Sequence, residues 1–132
     1  MTETKTTTTQ ITQLATVVLP VSDQSRAVEF YVDTLGFEKR VEAPMGDHDP
    51  WIEVAPQGAA TTIALYPPRE GNPTGIDTNV AFETEDIDAL HADLKDRGVD
   101  VDEEVSRMGD PVPPMFFFRD PDCNQSFVVQ RS

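Results

Sequence analysis

Few side chains in this sequence are equipped for chemistry, and each has a plain structural alternative. His48 stands between Asp47 and Asp49. A flanking carboxylate can orient an imidazole as a general base near neutral pH, but the same triplet in a turn is ordinary solvated surface. Glu53 lies two residues from Trp51, so in an extended segment the two share a face. There the carboxylate would serve as a base or as the ion-pair partner of a ligand, or else form a polar rim. Asp120, Asp122 and Asn124 have the spacing that opens a calcium loop. Gln125 stands where that loop needs glycine and Arg131 where it needs glutamate, so a calcium site is excluded. Cys123 is the sole cysteine, which excludes an internal disulfide and a Cys-pair zinc site. With no histidine near it in sequence it reads as a structural thiol, and His91, among polar neighbours, reads as helix surface.

The framework that positions these groups is small. A chain of 132 residues has room for one domain, or two very small modules sharing a core, and can fold without metal or disulfide staples. Hydrophobic residues at 38% and charged residues at 26% are ordinary for a soluble protein. There is no apolar run of about 18 residues, so no transmembrane helix is expected. Residues 1–12 are Thr-rich and polar, lack the apolar centre of a signal peptide, and read as a flexible tail on a cytoplasmic protein. Ten Lys+Arg against 24 Asp+Glu give a net charge of −14. Such a chain has no basic stripe with which to neutralise phosphates, which argues against nucleic acid and anionic membranes as partners. The charge serves solubility or, more sharply, attracts a cationic ligand.

Pattern and punctuation divide the chain into two similar halves. Leu14–Leu19 reads as a strand rich in β-branched residues, and Ser22 or Asp23 caps a helix carrying Ala27, Phe30, Tyr31 and Leu35. Gly36 stops that helix. Phe37–Val41 is a strand, Pro44–Pro50 a loop, and Trp51–Ala55 and Thr61–Tyr66 are two further strands. After a Pro- and Gly-rich linker, Asp77–Phe82 is a strand. Thr84, Glu85 or Asp86 then caps a helix with Ile87, Leu90 and Leu94, and Gly98 stops it. Val99–Val105, Met115–Phe118 and Gln125–Gln130 complete the set. Gly98 follows Gly36 at the same interval as Ala89 follows Ala27 and Glu85 follows Asp23. The expectation is an α+β domain over residues 13–132, built from two tandem βαβββ modules at about 13–67 and 76–131. One such unit cannot bury both faces of its sheet. Two of them can share a curved mixed sheet, with helices outside and a concave cup inside.

These residues resemble a known superfamily. Pro20-Val21-Ser22-Asp23 with Arg26-Ala27, Phe30-Tyr31 and Leu35-Gly36-Phe37 is similar to the first module of the vicinal oxygen chelate superfamily. That group includes glyoxalase I, extradiol dioxygenases, fosfomycin-resistance enzymes and bleomycin-resistance proteins. Phe118-Arg119-Asp120-Pro121-Asp122 resembles its second-module signature, and the helix Asp86–Leu90 ending at Gly98 agrees. The resemblance spans about residues 14–131 and points to a glyoxalase-like branch. It departs where the usual Asp-Pro-Asp-Gly-Asn turn has Cys123 in the glycine place. A left-handed cysteine there would cost on the order of 1 kcal/mol.

The resemblance also implies where metal ligands would stand. Metal-dependent members use four side chains, typically His or Glu, around an ion that acts as Lewis acid on a chelated substrate. The matching positions here are Thr16, Ala64, Asn79 and Phe127. None is His, Glu or Asp, so the resemblance implies a member without the metal site, and no cofactor is expected.

Strand parity then describes the cup. Thr16 and Val18 would point inward with Thr62, Ala64 and Tyr66, with Asn79 and Ala81, and with Gln125, Phe127 and Val129. Trp51 and Glu53 join them, and Phe116 and Phe118 are taken as the inward parity of their strand. The ligand-binding set is therefore Thr16, Trp51, Glu53, Tyr66, Asn79, Phe116, Phe118 and Phe127, an aromatic cup suited to a flat apolar ligand. The Pro-rich segment Met108–Pro114 would be its lid. Two functions follow. One is a cytoplasmic homodimer that binds, and sequesters, a small aromatic compound such as an antibiotic. The other is a glyoxalase- or dioxygenase-like enzyme, metal-free or using Glu53 or His48.

Overall fold

A computed structural model describes residues 9–70 and 73–131. The expected tail falls largely on residues 1–8, outside the described residues; Ile11, beyond them, is 95% exposed. The first module runs β1 (Thr16–Pro20), α1 (Gln24–Val28) continuing as a π-helical turn (Glu29–Thr34), β2 (Glu38–Met45), β3 (His48–Ala55) and β4 (Thr62–Tyr66). The second runs β5 (Asp77–Thr84), α2 (Ile87–Asp96), β6 (Asp100–Val101), β7 (Met115–Arg119) and β8 (Gln125–Gln130). The expected shared sheet resolves into two four-stranded mixed sheets, ordered β1-β4-β3-β2 and β5-β8-β7-β6. In each, the first strand lies parallel to the last and the other pairs are antiparallel.

Local chemistry explains most boundaries. Asp23 caps α1 by accepting from the Arg26 N–H, and Asp86 caps α2 by accepting from the Ala89 N–H. Gly36 and Gly98 follow the two helices with φ of 84° and 86°, conformations that favour glycine. The repeat interval therefore holds at these glycines. It fails at the caps, where Asp86 rather than Glu85 does the work, and at Ala89, which is exposed while Ala27 is buried. The expected loop at 44–50 is a tight hairpin, with Met45 paired to His48 and Gly46 at φ 62°. The expected strand at 99–105 shrinks to Asp100–Val101 plus a bridge from Ser106 to Met115.

The two modules pack through their helix-side faces. Leu19, Val21, Tyr31, Val54, Ile63 and Leu65 form the first core, and Val80 and Phe82 of β5 pack against it. Ile87, Leu94, Phe116, Phe118 and Val128 form the second, joined by Phe30 and Leu35 from the first module. Phe82 bridges them, 5.5 Å from Phe37 and 6.0 Å from Phe118 between ring centroids.

A polar latch fixes this docking. Tyr31 is 1% exposed and donates its hydroxyl to Asp120 Oδ2 at 2.9 Å. Burial first, and the Asp120 charge second, push the Tyr31 phenol well above its usual range. Asp120 also accepts from the Asp122 and Asn124 N–H groups and from the Asn124 amide. That amide donates in turn to the Pro20 carbonyl, and its oxygen accepts from the Gly75 and Ile76 N–H groups. Ser22 donates to Asp122 through N–H and hydroxyl, beside Arg26. The carboxylates that mimicked a calcium loop are thus spent on the module junction. Cys123 takes φ 66°, so this turn keeps the left-handed geometry with a cysteine in the glycine place. Removing the Tyr31 hydroxyl leaves a buried carboxylate one donor short. Tyr31→Phe is expected to lower stability by about 2 kcal/mol, read as a lower urea midpoint; an unchanged midpoint would deny the latch its role.

Candidate functional site

The candidate site lies on the helix-free faces of the two sheets. Leu19, Ile63 and Leu65 are core residues, so alternation sends Val18, Ala64 and Tyr66 to the other side. Val18 is 51% exposed there, whereas Ala64 is fully covered between Val18 of β1 and Glu53 of β3. Trp51 and Tyr66 form a tilted pair with centroids 5.6 Å apart and planes at 41°. Behind the pair sits a carboxylate held by neutral donors. Trp51 Nε1–H donates to Glu53 Oε2 at 2.8 Å, and Thr62 Oγ1 donates to Glu53 Oε1 at 2.7 Å. Thr16 Oγ1 donates to the Thr62 carbonyl at 3.1 Å. Glu53 thus orients the indole, and both of its oxygens are engaged.

In front of the pair is a cavity of about 510 Å³. Its walls are Val18, Pro20, Met45, Trp51 and Tyr66, with Pro67, Pro68, Arg69, Pro73 and Ile76 from the segment between the modules. Sequence reasoning missed that contribution. The Pro-rich run at 67–73 signalled a stiff segment, and parity arguments apply only to strands. Residues 108–114, expected as a lid, line neither this cavity nor a smaller one of about 330 Å³ between the modules.

On the second sheet the ring parity is the reverse of the expected one. Phe116 is 0% and Phe118 2% exposed, both under α2 in the core. Phe117 faces the open side, 5.1 Å from Phe127. Four consecutive residues, Met115 to Phe118, are all apolar, so polarity gave no guide; contact with Ile87 and Leu94 decides it. Arg119 closes the end of β7, bonding Asp100, Asp102 and Gln125. Hydrogen bonding to Arg119 holds the Asp100 carboxyl below its usual range. Asn79 is exposed at φ 59° in an irregular stretch where the β5–β8 register shifts. The structure therefore gathers Thr16, Trp51, Glu53 and Tyr66 on one sheet and Phe127 on the other. Among the described residues, none of β5–β8 lines the cavity beside Trp51.

The remaining candidates play other parts. His48 is exposed on the β2–β3 hairpin. His91 is half-buried rather than surface: its Nε2 lies 2.7 Å from the Asp102 carbonyl and its ring packs edge-on against Phe116. Cys123 is exposed.

This fold and pattern match known proteins. The family model of the glyoxalase/bleomycin resistance protein/dioxygenase superfamily matches residues 13–125. The chain belongs to this superfamily. It is 35% identical over 100 residues to the uncharacterized protein YetH of Bacillus subtilis (strain 168), covering 74% of this chain and 82% of that protein. It is similar to TnmS3, an antibiotic binding protein from Streptomyces sp. CB03234, at 36% identity and a TM-score of 0.80, covering 92% of this chain and 98% of that one. A superfamily member from Sphaerobacter thermophilus DSM 20745 is similar at 34% identity and a TM-score of 0.85, with the same coverages.

As a member of the glyoxalase/bleomycin resistance superfamily, the chain has no His, Glu or Asp at the four positions where the resemblance implies metal ligands. Ala64 and Phe127 carry no donor atom, the Thr16 hydroxyl is committed to a carbonyl, and Asn79 offers one neutral amide in an irregular stretch. Among the described residues, no three His, Cys, Asp or Glu side chains converge as a metal site. What the wall offers instead is an indole with a fixed edge. Glu53→Ala should free that edge, lowering the fluorescence anisotropy of Trp51 and shifting its emission to the red. Glu53→Gln, which keeps an acceptor oxygen, should preserve both signals; unchanged anisotropy in Glu53→Ala would mean that packing alone sets the indole.

Proposed function

We propose that this superfamily member binds a small planar aromatic compound by stacking, and sequesters it in the cytoplasm without a metal and without converting it. The observation that carries this reading is the Trp51–Tyr66 pair, braced by Glu53 and opening on a cavity of about 510 Å³, a size usual for small-molecule sites. Thr16, Ala64, Asn79 and Phe127 at the ligand positions support it, as does the likeness to a protein described as antibiotic binding. The test is a titration with planar aromatic antibiotics and quinones, followed by the emission of Trp51, the only tryptophan. A binder saturates and returns its ligand unchanged. Phe127→Ala should weaken it about thirtyfold, while Lys95→Ala on exposed α2 surface should not. Product formed at catalytic protein levels would replace this reading with that of a glyoxalase- or dioxygenase-like enzyme.

The same reading makes the working unit a homodimer. Phe117 and Phe127 form an apolar wall on the open face of the second sheet, away from the Trp51 cavity. A second copy that sets this wall opposite Trp51 and Tyr66 completes the cup, and two-fold symmetry completes it twice. Light scattering at micromolar protein and moderate salt should give a dimer; a monomer would overturn the completed cup. Moderate salt matters because a chain of charge −14 repels its own copy.

A further inference from the structure

Arg69 is set apart from every other described cation. Among the described residues, each other lysine and arginine has a carboxylate within ion-pair distance: Arg26, Lys39, Arg40, Lys95, Arg97, Arg107, Arg119 and Arg131. Arg69 has none, in a chain with 24 acidic residues. Among the described residues it is also the one charged residue lining the cavity beside Trp51 and Tyr66. An arginine left unpaired amid so many carboxylates keeps its five N–H donors free for something else.

We infer that Arg69 selects an acidic ligand: a planar aromatic compound carrying a carboxylate or similar anionic oxygens, ring on Trp51 and Tyr66, anion on the guanidinium. This rests on the stacking reading above and goes beyond it by giving the ligand a charge. A cation is disfavoured at the same place. Among the described residues no carboxylate lines the cavity, Glu53 is not part of its lining, and an approaching cation meets Arg69. The net charge of the chain acts against an anion only at long range, where salt screens it within about 8 Å at physiological ionic strength. The guanidinium acts in contact, where its planar fork matches a carboxylate.

The test uses three probes with one ring system: 2-naphthoate, 2-naphthamide and 2-naphthylmethylammonium, titrated calorimetrically. Wild type is expected to prefer naphthoate over naphthamide by about tenfold and to bind the ammonium most weakly. Arg69→Gln, at an exposed position outside both cores, should erase the preference, bringing the naphthoate affinity down to that of naphthamide in the same variant. Arg69→Lys should retain part of it. Naphthamide binding with no preference for naphthoate overturns the inference alone. Failure of all three probes to bind or to move Trp51 emission overturns the stacking reading with it. A variant that keeps the preference but loses the dimer reassigns Arg69 to the interface and also overturns the inference.

Discussion

Asp120 is the group on which the rest of the arrangement depends. A buried carboxylate costs several kcal/mol unless hydrogen bonds replace its water. Asp120, 5% exposed, finds donors in Tyr31, Asp122 and Asn124. Because Tyr31 comes from the first module and Asn124 reaches back to Pro20, these demands are met together only in one docking of the two modules. That docking buries the helix-side faces against each other through Phe30, Phe37, Phe82 and Phe118. It leaves the helix-free faces that carry Val18 and Phe117 out of both cores, so the latch also positions the candidate site.

The fold was legible because its signals were local. Caps at Asp23 and Asp86, stops at Gly36 and Gly98, and alternation in Val17–Leu19 and Thr62–Tyr66 each act within a few residues. The candidate site was legible only in part. Trp51, Glu53 and Tyr66 came out together because polar and apolar residues alternate along their strands. Phe116 and Phe118 came out reversed because an all-apolar run carries no parity signal. The separation of Phe127 from Trp51 was hidden for a different reason: which faces of two modules meet is decided by contacts such as Tyr31–Asp120, far apart in sequence. Pro67, Pro68 and Arg69 escaped because a linker has no periodicity from which a facing can be read.

The polar inventory of the cavity wall is short, and most of it is spent internally. Glu53 is engaged by the indole and by Thr62, and Thr16 by a backbone carbonyl. A carboxylate used this way stiffens an aromatic wall, so that under the proposed stacking its side chains have less entropy to lose.

Alternation along the strands has a consequence for how such a protein changes over generations. On β1, β4 and β8, one side carries Leu19, Leu65 and Val128, which hold the cores, and the other carries Val18, Tyr66 and Phe127. A replacement on the second side reshapes the wall and leaves the packing beneath it intact. Most proteins lose stability as they acquire a new specificity, because the same residues serve both ends. Here inheritance can try one side of each strand while the other stays fixed. That gives a material reason for a single superfamily to hold glyoxalases, dioxygenases and bleomycin-resistance proteins on one scaffold.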